Sequence, residues 1–218
     1  MANGETSHES SKKFLLNHKT GVCEQADILL ATDIPKRISA LESLSKSAQF
    51  SWESIEEVRK CSVVDGDIAT TNTYLQDCFA ILKPLMREFI DNSLLLRTWV
   101  TMLVPKTEDG DNLGVQLQYE TVNTCDDCSV DVQRLYYYIN GYYVERARLL
   151  SKFEKYGSKA HACVRTSIEE YDEATFIKFS LSISQLYYFY LSMYDKIMKN
   201  IDKIKKPRND SHELYFTW

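Results

Sequence analysis

Pro105-Lys106-Thr107-Glu108-Asp109-Gly110-Asp111-Asn112-Leu113-Gly114-Val115 splits the chain into two long apolar repeats of helical period. The stretch opens with a residue that lacks an amide donor and contains two residues that helical torsions hold poorly. Gly110 and Gly114 both permit a positive φ, so a tight reversal is expected here. Glu108, Asp109 and Asp111 keep the turn in water. The reading is a short, charged, rigid turn at the tip of two helices, well placed to press on a partner.

Working outward, Leu75, Phe79, Leu82, Met86, Phe89, Ser93, Leu96, Val100 and Leu103 alternate steps of four and three, an apolar seam broken only by Ser93. Pro84 lies off that seam, so it bends this helix without ending it; Pro105 ends it. After the turn, Val122, Cys125, Ser129, Val132, Tyr136, Ile139, Tyr143, Arg146, Leu150 and Phe153 repeat the alternation, giving a helix over about Val115 to Lys155 with Gly157 as its cap. A further helix carries Phe176, Phe179, Ile183, Leu186, Tyr190, Met193, Ile197, Ile201 and Ile204, and Pro207 stops it. Upstream, Leu30, Ile34, Ile38, Leu41 and Leu44 mark a first helix over Val22 to Ser45. Pro35 kinks or restarts that helix, with Thr32 or Asp33 as a cap. Residues 46–73 lose the period and read as a disordered connector, apart from an amphipathic turn at Ser54 to Lys60 and a turn at Asp65-Gly66-Asp67. Residues 1–20 read as a flexible arm and 209–218 as a polar tail ending in Leu214-Tyr215-Phe216-Thr217-Trp218.

Long amphipathic helices joined by short connections make an all-α, antiparallel four-helix bundle spanning residues 21–208. Composition agrees: 218 residues suffice for one real core, and seven glycines with four prolines leave long uninterrupted segments. Tyr137, Tyr138, Tyr142, Tyr187, Tyr188 and Phe189 lie beside the seams. A second aromatic face suits packing between subunits, and a wider core would use the same residues. A net charge of -5 gives no general pull toward nucleic acid or anionic membrane. No apolar run reaches the roughly 20 residues that span a bilayer, and the polar start, Met1 to Lys13, has no signal-peptide core.

Catalytic and metal-binding constellations are missing from the pattern. The histidines, His8, His18, His161 and His212, fall in the arm, a connection and the tail. The sole Glu-x-x-His, Glu5 to His8, lies in the arm, away from any bundle core. Asp109, Asp111, Gly114 and Glu120 match positions one, three, six and twelve of a calcium loop, but Leu113 occupies a ligating position and weakens the match. Cys125 and Cys128 form one C-x-x-C without a second pair at zinc spacing; the six cysteines read as thiols near helix faces. The basic run Lys203 to Arg208 is a charge-complemented helix end, an import or phosphate-binding patch, or a dock for an acidic partner surface.

Trp99-Val100-Thr101-Met102-Leu103-Val104-Pro105 followed by Glu108-Asp109-Gly110-Asp111-Asn112-Leu113-Gly114-Val115 resembles the 11S proteasome activator (REG) family. Tyr142 to Leu149 and Lys196 to Arg208 extend the likeness, which is good over Lys83 to Arg208 and weak over Ile34 to Leu44. Asp111 stands where the family usually has asparagine, and Leu113 where it has phenylalanine. The resemblance implies a heptameric ring of bundles seated on the α-subunit ring of the proteasome core particle, acting without ATP, cofactor or catalysis of its own, in cytoplasm, nucleus or both. It implies an activation loop at Glu108, Asp109, Gly110, Asp111, Asn112, Leu113 and Gly114 that opens the gate. It implies docking through Lys205, Lys206, Arg208, Tyr215, Phe216, Thr217 and Trp218, and a channel-lining position at Arg148. A helical adaptor that binds peptides between bundles, and a calcium-binding helical protein, are the alternatives.

Overall fold

The structure, a computed structural model, describes residues 2–62, 71–110, 112–156 and 161–208. The Asp65-Gly66-Asp67 turn, loop residue Asp111, the Gly157 cap and the tail with Tyr215, Phe216, Thr217 and Trp218 lie outside it. Every regular element among the described residues is helical: α1 (Ala2–Ile28), a π-helical turn (Leu29–Asp33), α2 (Ile34–Ser45), two 3-10 turns (Ala48–Phe50 and Trp52–Ser54), α3 (Ile55–Cys61), α4 (Thr73–Leu103), α5 (Leu113–Tyr156), α6 (His161–Lys199) and α7 (Ile201–Lys205).

The chain forms two compact units. One comprises residues 1–36, 91–129 and 190–218, the other 37–90 and 130–189. The long helices α4, α5 and α6 each contribute to both.

The seam read for α4 is the buried one. Leu75, Phe79, Leu82, Met86, Phe89, Ser93, Leu96 and Val100 are all buried, while Leu103 is half-covered and Pro84 sits exposed within the unbroken helix. Asn72 caps α4, its Oδ1 accepting from the Leu75 amide at 3.1 Å.

In the second unit, Phe79 of α4 meets Phe179 of α6 edge-on at 4.9 Å and Tyr142 of α5 at 5.4 Å. Tyr138 also contacts Phe179, and Tyr142 reaches back to Asp172, so α5 and α6 run antiparallel. Beneath these rings lies a buried polar cluster. Asp172 Oδ1 accepts from the Tyr142 hydroxyl at 2.9 Å and from Arg146 Nε at 3.1 Å, and Asp172 Oδ2 accepts from Asn72 Nδ2 at 3.1 Å. Asn72 Nδ2 also donates to the Val58 carbonyl of α3 and to Ser62 Oγ. The amphipathic turn read at Ser54 to Lys60 is α3, and the rest of residues 46–62, expected to be disordered, is folded as well. Phe50 and Val58 are buried, and the Phe50 carbonyl accepts from Ser180 Oγ. Apolar spacing gave no sign of the two 3-10 turns before α3, because such short turns need no repeat.

In the first unit, the polar seam residue Ser93 donates to Met193 Sδ at 3.8 Å, and Asn92 donates to the Tyr190 hydroxyl at 2.9 Å. Lys196 of α6 reaches the Glu120 carbonyl and Thr124 Oγ1 of α5, and Gln118 of α5 reaches the Ile204 carbonyl of α7. Rising numbers on one side meet falling numbers on the other, an antiparallel pairing.

Two expectations for the first helix change. The chain over residues 2–20 is helical in α1; no proline interrupts it, and extending an established helix is easier than starting one. The helix does restart beside Pro35, as α2 from Ile34, but neither Thr32 nor Asp33 stands as a non-helical cap, since both lie within the π-helical turn. The Ile34 amide instead donates to the Leu29 carbonyl, five residues back. This wider turn sits directly before Pro35, whose ring would crowd the carbonyl four residues earlier in a regular helix.

Candidate functional site

The loop between α4 and α5 and the end of α7 lie together in the first unit. The Val104 amide closes α4 on the Thr101 carbonyl at 3.3 Å, and Pro105 follows. Residues Lys106, Thr107, Glu108, Asp109 and Gly110 are exposed. Gly110 has φ of 124°, the left-handed torsion that the sequence called for. Asn112 then folds inward. Its Nδ2 donates to the Gly110 carbonyl at 3.2 Å and the Glu108 carbonyl at 3.4 Å, and its own carbonyl accepts the Gln116 amide at 2.8 Å to start α5.

Gly114 does not supply a positive φ; Gly110 alone does so among the described glycines. Gly114 lies in the first turn of α5, and its missing side chain lets the Pro207 backbone pass. One turn on, buried Gln118 donates through Nε2 to the Ile204 carbonyl at 2.8 Å. Helix α6 ends at Lys199, where Asn200 Nδ2 donates to the Lys196 carbonyl at 2.8 Å, and α7 resumes for one turn. The break lets the chain turn its last carbonyls toward α5.

Arg208 completes the arrangement. Its Nη1 donates to the Lys106 carbonyl at 2.9 Å and to Glu108 Oε2 at 3.2 Å, and its Nη2 donates to Asn112 Oδ1 at 2.8 Å. The acceptors lie on both sides of Gly110. A planar guanidinium offers donors in a fixed fork, which suits bridging three acceptors at once. The basic run was read as a dock or a helix end, yet this member is turned onto the loop. Lys205 is likewise engaged, its Nζ 2.9 Å from Asp27 Oδ1 of α1.

Beside the loop is an open cleft of about 730 Å³, lined by residues including Pro105, Lys106, Leu113, Tyr119 and Arg208. Leu113 is 72% exposed there. Arg148 is in the second unit, exposed on α5 and ion-paired with Glu145 one turn earlier. Of the predicted site residues, the structure brings Glu108, Asn112, Gly114 and Arg208 together. Pro207, Gln118 and Lys196 were missed. Gln118 was legible in principle, standing one turn beyond Gly114 on the same helix face. Among the described residues no group of three or more His, Cys, Asp or Glu is placed to hold a metal ion.

Residues 68–214 match the family described as proteasome activator PA28, C-terminal. The chain belongs to the PA28 proteasome activator family. Among curated PA28 relatives, human proteasome activator complex subunit 3 is 34% identical over 157 residues, covering 72% of this chain and 61% of that relative. The chain thus matches about 61% of that relative's length. Proteasome activator 28 of Dictyostelium discoideum is 27% identical over 205 residues, covering 89% of this chain and 90% of the relative. Among solved structures, PA28, the 11S subunit of the Plasmodium falciparum proteasome, superposes with a TM-score of 0.80 at 24% identity, covering 92% of this chain and 95% of that one. The activator PA26 in the yeast 20S proteasome complex gives 0.70 at 14% identity, over 93% and 98%. These likenesses share the helical-bundle fold.

Proposed function

We propose that this PA28-family chain is a non-catalytic activator of the proteasome core particle that works without ATP as a heptameric ring. The ring seats on the α-subunit ring, residues 209–218 dock in pockets between α subunits, and the α4–α5 loop presses on the gate. The observation that carries this reading is the acidic loop pinned to the end of the last helix by Arg208 and by the contact of Gly114 with Pro207. A pinned loop can transmit force, and the segment proposed to dock follows Arg208 directly in sequence.

Ring formation is supported by large apolar side chains left outside the second unit's core. Tyr137 is 72% exposed, Val144 64%, Leu181 53% and Tyr188 63%. Tyr137 and Val144 are seven residues apart on α5, as are Leu181 and Tyr188 on α6, so each pair makes a stripe suited to a neighbouring subunit. Seven tails on one ring act together through effective concentration, so no single tail needs to bind tightly. The chain acts in cytoplasm, nucleus or both, and Arg148 lines the channel, its charge held on the surface by Glu145.

The test uses native mass, co-sedimentation with purified core particle and fluorogenic-peptide hydrolysis. The full chain should form a seven-subunit particle, co-sediment and stimulate hydrolysis; a chain ending at Arg208 should form the ring but not co-sediment. A monomer or dimer that ignores the core particle overturns the reading in favour of a helical adaptor. Arg148→Glu should alter the relative cleavage of acidic and basic peptides, and an unchanged ratio removes it from the channel.

A further inference from the structure

We propose that Arg208 is the positioning residue of the α4–α5 loop. The proposal rests on the activator reading above and specifies what holds the pressing element in shape.

The geometry separates Arg208 from a general basic patch. Its guanidinium bonds the backbone at Lys106, the carboxylate of Glu108 and the side-chain oxygen of Asn112. Two acceptors precede Gly110 and one follows it, so the fork closes the neck of the loop across its turn. The Arg208 side chain is only 22% exposed, although Glu108 is 64% exposed.

The base of this fork is itself fixed. Pro207 is pressed against Gly114, and the Ile204 carbonyl is held by buried Gln118. Arg208 therefore cannot drift along the chain without undoing both contacts.

Lysine keeps the charge but not the fork: its ammonium is a compact point donor that cannot hold three separated acceptors in one plane. Arg208→Lys thus distinguishes positioning from electrostatic docking. The experiment compares full-length wild type, Arg208→Lys and Arg208→Ala. It measures native mass, the concentration for half-saturation of the core particle, maximal peptide hydrolysis at saturation, and amide hydrogen exchange over residues 106–112 of the isolated ring. Rings should form in all three. For Arg208→Lys, half-saturation should stay within about twofold of wild type, while maximal stimulation falls about tenfold and loop exchange speeds up about tenfold, the scale of losing charge-assisted hydrogen bonds. Arg208→Ala should exchange at least as fast.

Wild-type stimulation by Arg208→Lys would overturn the proposal, since charge alone would then suffice. A loss of binding matching the loss of stimulation would also overturn it, making Arg208 a docking residue, and so would failure of the lysine ring to assemble. If wild type itself leaves the core particle unaffected, the activator reading fails; the exchange comparison, which needs no core particle, still decides whether Arg208 holds the loop.

Discussion

A methyl group built on Gly114 would lie 2.0 Å from the carbonyl oxygen of Pro207 and 2.7 Å from its Cα. The contact joins the first turn of α5 to the last described residues of the chain, through backbone that has no side-chain freedom with which to yield.

Alanine normally stabilises a helix over glycine by about 1 kcal/mol. At Gly114 the sign should reverse, because the Pro207 backbone must move: Gly114→Ala should cost about 1–3 kcal/mol. Gly141, exposed on the same helix with nothing within 4 Å of its built Cβ, is the control. Gly141→Ala should gain up to about 1 kcal/mol. Urea unfolding of both variants checks the pair, and stabilisation at Gly114 would show that the chain end is not held there.

Removing the Asp172 carboxylate should be among the most damaging single changes in the second unit. Asp172 is fully buried with Arg146, whose side chain is 3% exposed. Asp172→Ala leaves that guanidinium without its carboxylate and should cost about 3–5 kcal/mol. The neighbouring surface pair, Arg59 with Glu173, has Arg59 48% exposed. Breaking it by Glu173→Ala should cost no more than about 1 kcal/mol. Equal losses in urea midpoint would contradict the buried cluster's role.

Alkaline pH should destabilise the protein through its interior thiols. Burial pushes Cys78 and Cys125 each from 9.0 up to about 12. A folded pKa above the unfolded one means that the unfolded chain loses its proton first, so stability is complete below pH 9 and falls as pH rises toward 12. Tyr171, raised to about 12 by burial, adds to the same slope. Melting temperature should drop between about pH 9 and about pH 11, and Cys125→Ala should flatten that drop; an unaltered slope would show that the thiol is not the titrating group.

Thiol labelling of the native protein should follow exposure. Cys163 is exposed on α6, whereas Cys78 and Cys125 are buried and held protonated. Cys163 should react first, and the other two only at the rate of local opening. Mass spectrometry of peptides labelled over time orders the sites; early modification of Cys125 would place it nearer solvent than its burial implies.

Periodicity carried the fold because α4 buries the residues its sequence spacing selects, from Leu75 to Val100. It served α5 less well: Tyr142, not Tyr143, is the buried tyrosine, since its hydroxyl has Asp172 to bond. Arg146 was found on the apolar seam, but its partner stands 26 residues away on another helix, a distance no local pattern spans. The loop itself was legible through Gly110. Its anchorage was not. Gly114 was assigned a torsion when its service is to let the Pro207 backbone approach, and Arg208 was grouped with its basic neighbours although its acceptors lie about a hundred residues upstream. A glycine reports that a side chain is unwelcome without saying what excludes it.

The π-helical turn at Leu29–Asp33 holds one residue more than the α-helical path would, because its closing bond reaches five residues back. An α-helix advances about 100° per residue, as 3.6 residues per turn requires. Deleting one residue inside a regular stretch of α1 would therefore turn everything before the cut by about that angle. The same deletion between Leu29 and Asp33 would instead draw the wide turn back to an α-helical one, and Val22 and Ala26 would keep their buried face. The turn is thus the place where the first helix can lose a residue without changing which side it buries.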